Sequence, residues 1–220
     1  MQNKTAILFG ATGLTGAQVL QKLVQDERYE KIIVFTRSVP KIKSSKLEII
    51  NTPLEYLDKY ENEIRGNDVF CCLGTTIKKA GSKEIFRKVD LEFPAKIAAI
   101  AHKNEVPNFL IISSIGANPY SSNFYLRTKG EAEKAIQKYN FKKVVILRPS
   151  MLLGKRSEFR FMEEAGKLIM FPLRFLLRGK LKKYRAIDSE RVAKAMVKFA
   201  NITTSKSIFE SHEIELFARI

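Results

Sequence analysis

The sequence predicts an α/β fold in which helices cover both faces of a doubly wound parallel sheet. Short runs rich in β-branched and aromatic residues alternate along the chain with segments whose apolar residues recur at helical spacing. The run at 31–36 is apolar without alternation, which is typical of a strand buried on both faces. Strands and helices that alternate in this way are joined by right-handed crossovers. We therefore expect the strand order 3-2-1-4-5-6, with the option of a seventh strand.

Six strands are predicted from short apolar runs bounded by turn residues. They lie at 5–9, 31–36, 47–50, 68–73, 109–113 and 143–147. Near the end of the chain, residues 213–217 alternate between polar and apolar side chains, and this pattern indicates a closing strand.

Helices are predicted between these strands. The first follows Gly10 and places four apolar residues between 19 and 24 on one face. A second begins where Thr52 is followed by Pro53 and Glu55, a pattern typical of a capped helix start. The remaining helices are predicted at 82–102, where Pro94 divides or kinks the helix, at 125–139 and at 188–201.

The composition is that of one folded domain. The chain has 220 residues, of which 45% are hydrophobic and 28% charged, and this length is short for two ordinary domains. We therefore expect a single domain over 1–220, in which 150–220 forms a small segment that covers the substrate. Apolar stretches fall well short of the roughly 20 residues of a membrane span, and no signal peptide is recognisable, which favours the cytoplasm. The adjacent Cys71 and Cys72 lie in an apolar run, so we expect them to be reduced and structural.

The first chemical signal is a glycine-rich turn between the first strand and the first helix. Gly10, Gly13 and Gly16 are spaced as GxxGxxG. Glycine permits positive φ and a close approach to a ligand, and the following helix offers free N–H groups and a positive dipole to a pyrophosphate. This strand–turn–helix order predicts a dinucleotide site in a Rossmann fold; the alternative is a turn with only a structural role.

The end of the second strand predicts which dinucleotide binds. An acidic residue there would accept a hydrogen bond from the ribose 2′-hydroxyl of NAD, but this chain has Arg37 and Ser38. A guanidinium and a hydroxyl suit a 2′-phosphate, so NADP(H) is favoured. The alternative is that Arg37 is only an exposed charge. After the fourth strand, Leu73 and Gly74 would let the backbone lie beside the adenosine ribose and the pyrophosphate.

The second chemical signal is Tyr125 with Lys129, four residues later on a predicted helix. Residues four apart share a helix face, so the phenol and the ammonium can converge on one pocket. A nearby cation makes a phenol a better acid, and such a tyrosine can protonate a carbonyl oxygen that receives a hydride. Ser113 or Ser114 would hold that oxygen, and the sequence does not choose between them. The alternative is an amphipathic tyrosine beside a surface lysine.

Several further segments carry a family resemblance. They are CLGTT at 72–76, FRKVD at 86–90, SSIGA at 113–117, SSNFY through KGE at 121–131 and RPSMLL at 148–153. Together with the glycine turn, they resemble the Tat-interacting-protein-like oxidoreductases, which are atypical short-chain dehydrogenase/reductases. The similarity covers about 4–200. Asn51 departs from the pattern, since many relatives carry an acidic residue there.

The resemblance implies a Rossmann fold that holds NADPH. It implies that Tyr125 is the proton donor or acceptor and that Lys129 binds the nicotinamide ribose. The remaining cofactor contacts implied are Thr12, Gly13, Leu14 and Thr15 at the pyrophosphate, Arg37 and Ser38 at the 2′-phosphate, Leu73 and Gly74 at the adenosine side, and Met151 and Arg156 at the nicotinamide or substrate end.

The chain is strongly basic. It has 39 Lys and Arg against 23 Asp and Glu, and the stretch 155–194 has 12 against 5. This stretch suits an anionic small-molecule substrate, and the apolar run with basic residues at 168–178 could instead contact a protein partner or a membrane surface, or simply roof the core. His102 and His212 lack neighbours at ligand spacing, so no metal site is predicted.

Three function classes follow from these patterns. The favoured one is an NADPH-dependent oxidoreductase that reduces a carbonyl or oxidises an alcohol of a small metabolite, with a nucleoside-diphosphate-sugar epimerase as a variant. The second is an NADP(H)-binding regulatory or scaffold protein with little turnover. The third is a protein whose basic face binds nucleic acid or anionic lipid, although no specific nucleic acid is expected. The predicted oligomeric state is a monomer or a homodimer.

Overall fold

The computed structural model describes residues 3–154 and 179–219, and these form a seven-stranded parallel sheet. The first six strands are β1 (Lys4–Phe9), β2 (Tyr29–Thr36), β3 (Leu47–Asn51), β4 (Asp68–Cys71), β5 (Asn108–Ile112) and β6 (Lys143–Arg148). The seventh strand of the sheet is β9 (Ile208–Glu210), which pairs with β6 at the sheet edge. Two further strands, β7 (Leu152–Leu153) and β8 (Ile187–Asp188), form a separate two-stranded parallel ladder. The order is β3-β2-β1-β4-β5-β6-β9, which confirms the predicted doubly wound order and supplies its seventh strand.

Helices cover both faces of this sheet. They are α1 (Leu14–Gln25), α2 (Ile77–Ala80), α3 (Lys83–Arg87), α4 (Phe93–Lys103), α5 (Phe124–Gln137), α6 (Ser189–Asn201) and α7 (Ser211–Arg219), with 3₁₀ turns at Leu54–Glu63 and Gly179–Tyr184. Residues of α1, α6 and α7 pack on one face, and residues of the first 3₁₀ turn, α4 and α5 pack on the other. Alternate residues of each strand enter the two cores, as in β1, where Leu8 faces one core and Phe9 the other.

The segment after β3 differs from its prediction. Residues 54–63 form a 3₁₀ helix, with non-helical backbone at Tyr56 and Tyr60. Pro53 is the N-cap, and no side chain makes a capping hydrogen bond there. The hydroxyl of Thr52, the predicted cap, donates instead to the carbonyl of Pro53. The predicted cap is therefore wrong, although the apolar Leu57 and Ile64 are buried as expected.

The predicted division of the 82–102 helix at Pro94 is confirmed. Between α3 and α4 the chain makes one π-helical turn, Lys88–Glu92, which ends where the N–H of Phe93 donates to the carbonyl of Lys88. Pro94 has no N–H to give to the carbonyl of Asp90 four residues earlier, so a regular turn could not continue through this point. The widened turn buries the Asp90 side chain.

The predicted closing strand at 213–217 is wrong. These residues belong to α7, and the closing strand is the shorter segment β9 just before it. Ile214 and Ala218 are four residues apart and both are buried, so the helical period decides the structure here. The predicted helix at 188–201 is confirmed as α6, with Val192, Met196 and Phe199 buried.

The expectations for the two cysteines and for the run at 168–178 have different outcomes. Cys71 is buried, Cys72 is half-buried, and both are free thiols; burial raises the pKa of Cys71 to about 12, which is consistent with a structural role. The run at 168–178 and most of the predicted covering segment lie outside the described residues. Within the ranges that the structure describes, no helix has the length and apolar character needed to cross a membrane.

A buried polar network lies at the amino ends of the strands. Asp68 is fully buried, its Oδ2 accepts from Tyr29 Oη at 2.7 Å, and its Oδ1 accepts from Asn108 Nδ2 at 2.7 Å. Lys4 Nζ lies 2.5 Å from Asp68 Oδ2 and donates to Asn201 Oδ1 at 2.9 Å. This network joins four strands and one helix through groups whose polar atoms are all paired, as buried polar groups require.

Replacing Asp68 by alanine should destabilise the protein strongly. The change leaves the Lys4 ammonium buried without its counter-charge, so we expect a loss of about 3–5 kcal/mol in the free energy of unfolding. Urea unfolding followed by circular dichroism measures it. Asp58→Ala is the control, because Asp58 pairs with Lys96 on the exposed surface, where a pair contributes about 0–1 kcal/mol. Equal losses in the two variants would contradict a stabilising role for the buried network.

Candidate active site

The glycine turn after β1 has no room for larger side chains. Gly10 has a φ of +81°, and a Cβ atom there would lie 2.6 Å from the carbonyl oxygen of Cys72. A Cβ atom at Gly16 would lie 2.0 Å from the carbonyl oxygen of Gly10. The turn is closed by the N–H of Gly13, which donates to the carbonyl of Gly10 at 2.9 Å. The backbone of the turn therefore packs directly against α1 and the end of β4.

The first turn of α1 is open to an anion. Gly13 is its N-cap and no side chain caps it, so the first N–H groups of this 12-residue helix are available to a ligand. Thr12 is exposed and Leu14 is half-buried, whereas the Thr15 side chain is buried and leaves only its backbone for such a contact. These features fit a pyrophosphate, which needs free N–H groups and a backbone without side chains in the way.

Arg37 and Ser38 are exposed just beyond the carboxyl end of β2. The Thr36 hydroxyl accepts from the Ser38 N–H at 3.2 Å and donates to the Ser38 carbonyl at 2.7 Å, which holds the turn in shape. Hydrogen bonding to Lys88 lowers the pKa of Glu55, and the charge of Arg37 contributes to the same shift. The predicted 2′-phosphate contacts are thus exposed at the edge of the sheet where the glycine turn lies.

Asn51 ends β3 directly opposite Thr36. With its amide nitrogen directed at β2, the side chain donates to the carbonyls of Thr36 at 3.1 Å and Arg37 at 3.3 Å. A carboxylate at this position could not donate to either carbonyl. The neutral amide therefore ties the ends of β2 and β3 together and adds no negative charge of its own beside Arg37.

Lys129 and Asp90 form a buried ion pair below the loop that follows β4. The distance between Lys129 Nζ and Asp90 Oδ1 is 2.7 Å, and their side chains are 7% and 0% exposed. Burial alone would lower the pKa of Lys129, but the charges of Asp90 and the Tyr125 side chain raise it above its usual value. Lys129 is therefore a permanent cation at neutral pH.

Gly74 leaves open space beside this pair. It is exposed, and a Cβ atom there would lie 3.5 Å from Asp90 Oδ1 and 3.7 Å from Lys129 Nζ. Leu73 is half-buried and packs on the core. The loop thus has a small residue beside Lys129, whereas the predicted contact of Leu73 and Gly74 with the adenosine side of the cofactor stays a prediction.

Tyr125 lies in the first turn of α5, one helical turn before Lys129. Asn123 caps this helix, and its side-chain oxygen accepts from the N–H of Leu126 at 3.1 Å. The Tyr125 ring is half-buried and lies 5.6 Å from the ring of Phe86, measured between centroids. The Tyr125 side chain is among the causes of the raised pKa of Lys129, so the two side chains lie near each other on the same helix face.

The two serines after β5 have different environments. The Ser113 hydroxyl is buried and donates to Glu133 Oε1, and Glu133 in turn accepts from Arg148 Nε at 2.9 Å. Ser114 is half-buried, and among the described residues its hydroxyl contacts only the carbonyl of Ile115, at 3.4 Å. The Ser113 hydroxyl is therefore committed to a structural network, whereas that of Ser114 has capacity to bind a ligand.

Among the other predicted contacts, Met151 is half-buried and accepts a backbone hydrogen bond from Ile187 at 2.9 Å. Nearby, Gly154 passes over α1, where an added Cβ atom would lie 2.7 Å from Leu14 Cδ1.

Arg156 lies outside the described residues. In the part of the chain that the structure describes, no group of three or more His, Cys, Asp and Glu side chains could hold a metal ion.

Sequence reasoning missed Asp90 and Glu133 as partners of the predicted site residues. Asp90 stands four residues before Pro94, and that spacing marks the place where a helical turn loses a hydrogen bond. Glu133 stands four residues after Lys129, and so shares its helix face. Both spacings were visible in the sequence, but neither specifies a partner in another element.

The fold and the glycine turn define a dinucleotide-binding Rossmann protein. A family model described as NAD(P)H-binding matches residues 10–202, and this chain belongs to that family. Within it, the chain belongs to the atypical short-chain dehydrogenase/reductases, the family that includes the relatives described next.

Two relatives illustrate the similarity. Protein HTATIP2 of Rattus norvegicus is 35% identical over 164 residues, which are 73% of this chain and 67% of the relative. Protein FMP52-2, mitochondrial, of Scheffersomyces stipitis is 36% identical over 165 residues, covering 73% of this chain and 71% of the relative. A mitochondrial name on the yeast relative leaves the cytoplasmic location of this chain a prediction.

Solved structures with the same fold include two proteins that carry sugar nucleotides. MoeE5 in complex with UDP-glucuronic acid and NAD has a TM-score of 0.70 at 15% identity, covering 93% of this chain and 74% of that one. UDP-glucose 4-epimerase from Thermotoga maritima, with UDP-glucose, has a TM-score of 0.69 at 17% identity, covering 98% and 82%. At these identities the likeness establishes the fold.

Replacing Gly10 by alanine should abolish NADPH binding. Positive φ alone costs about 1–2 kcal/mol for a residue with a Cβ atom, and at Gly10 the new atom also meets the Cys72 carbonyl. Gly81→Ala is the matched control, because Gly81 has a φ of +79° with nothing within 4 Å of the added atom. Calorimetric titration with NADPH and thermal unfolding measure the two effects. Unchanged NADPH affinity in Gly10→Ala would contradict the proposed position of the pyrophosphate.

Proposed function

We propose that this protein is an NADPH-dependent oxidoreductase that interconverts a carbonyl and an alcohol on a small metabolite. The observation that carries the proposal is the position of Tyr125 one helical turn before the buried Lys129 ammonium on α5. Membership of an NAD(P)H-binding family supports a cofactor at the same edge of the sheet. A phenol beside a fixed cation is suited to proton transfer at that edge.

Tyr125, Lys129 and Ser114 each have a separate role in the proposed reaction. When bound, NADPH supplies the hydride that reduces the carbonyl carbon. Tyr125 donates the proton of its hydroxyl to the carbonyl oxygen, and takes it back from the alcohol in the reverse direction. Lys129 stabilises the resulting tyrosinate and binds the nicotinamide ribose, and Ser114 holds the oxygen by donating a hydrogen bond.

Ser114 is assigned this role because the Ser113 hydroxyl already donates to Glu133. Redirecting Ser113 to a substrate would leave an acceptor site on Glu133 unfilled, inside a network with Arg148 that is largely buried. Leaving such a group unpaired costs about 1–3 kcal/mol. Ser114 can reach a ligand without that loss.

We further propose that the preferred cofactor is NADPH and that the substrate is anionic. Arg37 and Ser38 present donors for a 2′-phosphate at the end of β2, and no acidic side chain follows Thr36 there. The basic stretch 155–194, most of it outside the described residues, would favour a negatively charged substrate. A cofactor-binding regulator with little turnover is the alternative function, and the variants below separate the two.

Arg37→Ala should weaken NADPH binding by about 10–100-fold and leave NADH binding nearly unchanged, because only NADPH carries the 2′-phosphate. The expected loss corresponds to one hydrogen-bonded charge contact of about 1.5–3 kcal/mol. Calorimetric titration with each cofactor measures it. Arg65→Ala, at an exposed arginine just before β4, controls for the loss of one positive charge. A loss of equal size for both cofactors would assign Arg37 a different role.

Tyr125→Phe should lower kcat by about 10²–10⁴-fold, the range expected for removal of a general acid, while NADPH still binds. Ser114→Ala should also lower kcat, whereas Ser113→Ala should mainly lower stability. The measurement is turnover against a panel of anionic carbonyl compounds, with cofactor affinity determined separately.

The control for these variants is Tyr120→Phe, since Tyr120 is 82% exposed. Two results would overturn the assignment of roles. One is undiminished turnover in Tyr125→Phe; the other is a larger loss of kcat in Ser113→Ala than in Ser114→Ala. NADPH binding without turnover of any substrate in the wild-type protein would favour the regulatory alternative.

A further inference from the structure

Asp90 carries a buried carboxylate to which the proposed reaction assigns no step. It lies in the π-helical turn between α3 and α4 and is 1% exposed. Buried carboxylates are rare unless paired, because removing a charge from water is costly. The groups that Asp90 contacts therefore indicate its role.

Those contacts join three separate elements at the edge of the sheet. Asp90 Oδ2 accepts from the backbone N–H of Thr75 at 2.9 Å, which fixes the loop after β4. Asp90 Oδ1 lies 2.7 Å from Lys129 Nζ on α5. The carboxylate thus sets both the position of the loop backbone beside Gly74 and the position of the Lys129 ammonium.

Comparison with the second buried ion pair shows that Asp90 has fewer partners among the described residues. At Asp68, both carboxylate oxygens accept well-formed hydrogen bonds from neutral side chains in addition to the contact with Lys4. Asp90 has the Thr75 N–H and the Lys129 ammonium as its partners, and no neutral side chain among the described residues is bonded to it. The exposed Gly74 leaves space immediately beside it.

Stability alone explains such a pair poorly. A buried ion pair seldom stabilises a protein more than an apolar pair of the same size, because both charges must be desolvated. A pair that borders open space and lacks a neutral side-chain partner is better explained by what it presents to a ligand. Its position on a π-helical turn agrees with this, since such turns are frequent at functional sites.

We propose that Asp90 is a positioning residue for the cofactor: it holds the Lys129 ammonium in place for the nicotinamide half of NADPH. The inference rests on the proposed function for the identity of the ligand. Asp90 acts through Lys129, so its loss should affect the nicotinamide half of the cofactor and spare the adenosine half. The hydrogen bond from the Thr75 N–H to Asp90 fixes the loop after β4 beside the Lys129 ammonium.

The test is Asp90→Asn, which keeps an oxygen that accepts from Thr75 but removes the charge that holds Lys129. We expect NADPH affinity to fall by about 10-fold, whereas adenosine 2′,5′-bisphosphate, which lacks the nicotinamide half, should bind with unchanged affinity. Calorimetric titration with each ligand measures both. Asp58→Asn is the control, because the Asp58 pair with Lys96 is exposed. Unchanged NADPH affinity, or equal losses for both ligands, would overturn the proposal.

A second comparison applies if Asp90→Asn does not fold. Lys129→Met is compared with the double variant that also carries Asp90→Asn, which removes both charges together. If Asp90 acts through Lys129, the added change should not weaken NADPH binding further. An additional loss of about 10-fold in the double variant would overturn the proposal. These binding results do not depend on turnover, so the positioning role can stand even if the wild-type protein reduces no carbonyl substrate.

Discussion

The close contact between the glycine turn and its neighbours is the constraint on which the rest of the site depends. At Gly10 the backbone passes so near the carbonyl of Cys72 that an added methyl group would overlap it, and at Gly16 the helix packs equally closely on the turn. These contacts place the start of α1 between the carboxyl ends of β1 and β4. The loop after β4, and with it Gly74, is thereby brought to the same edge of the sheet.

The fold was largely predictable because its strongest signals are local and periodic. Six strands, their order and the helix at 188–201 follow from apolar runs and helical spacing. The errors occur where two local signals compete. Thr52 has the residue type of a helix cap, but its hydroxyl donates to the carbonyl of Pro53. The five residues at 213–217 were too few to distinguish the alternation of a strand from the helical spacing of Ile214 and Ala218.

The site was predictable in its residue types but not in its pairings. The YxxxK spacing implied that Tyr125 and Lys129 share a helix face, and the structure places them one turn apart on α5. No local pattern indicated that Lys129 would meet Asp90, or that Glu133 would engage one of two adjacent serines. These contacts join residues 39 and 20 positions apart, and they depend on how separate helices pack on the sheet. The roles of individual site residues remain predictions.

The polar network at the opposite edge of the sheet has a consequence for the order of folding. Lys4 in the first strand donates to Asn201 at the end of α6, a separation of 197 residues, and Lys143 donates to three carbonyls at that same helix end. The buried charge of Lys4 therefore lacks one of its hydrogen-bond partners until α6 has been synthesised and has docked. Contacts of such long range slow folding. During translation, most of the sheet would leave the ribosome before Asn201, so Lys4 would gain this polar partner late in folding.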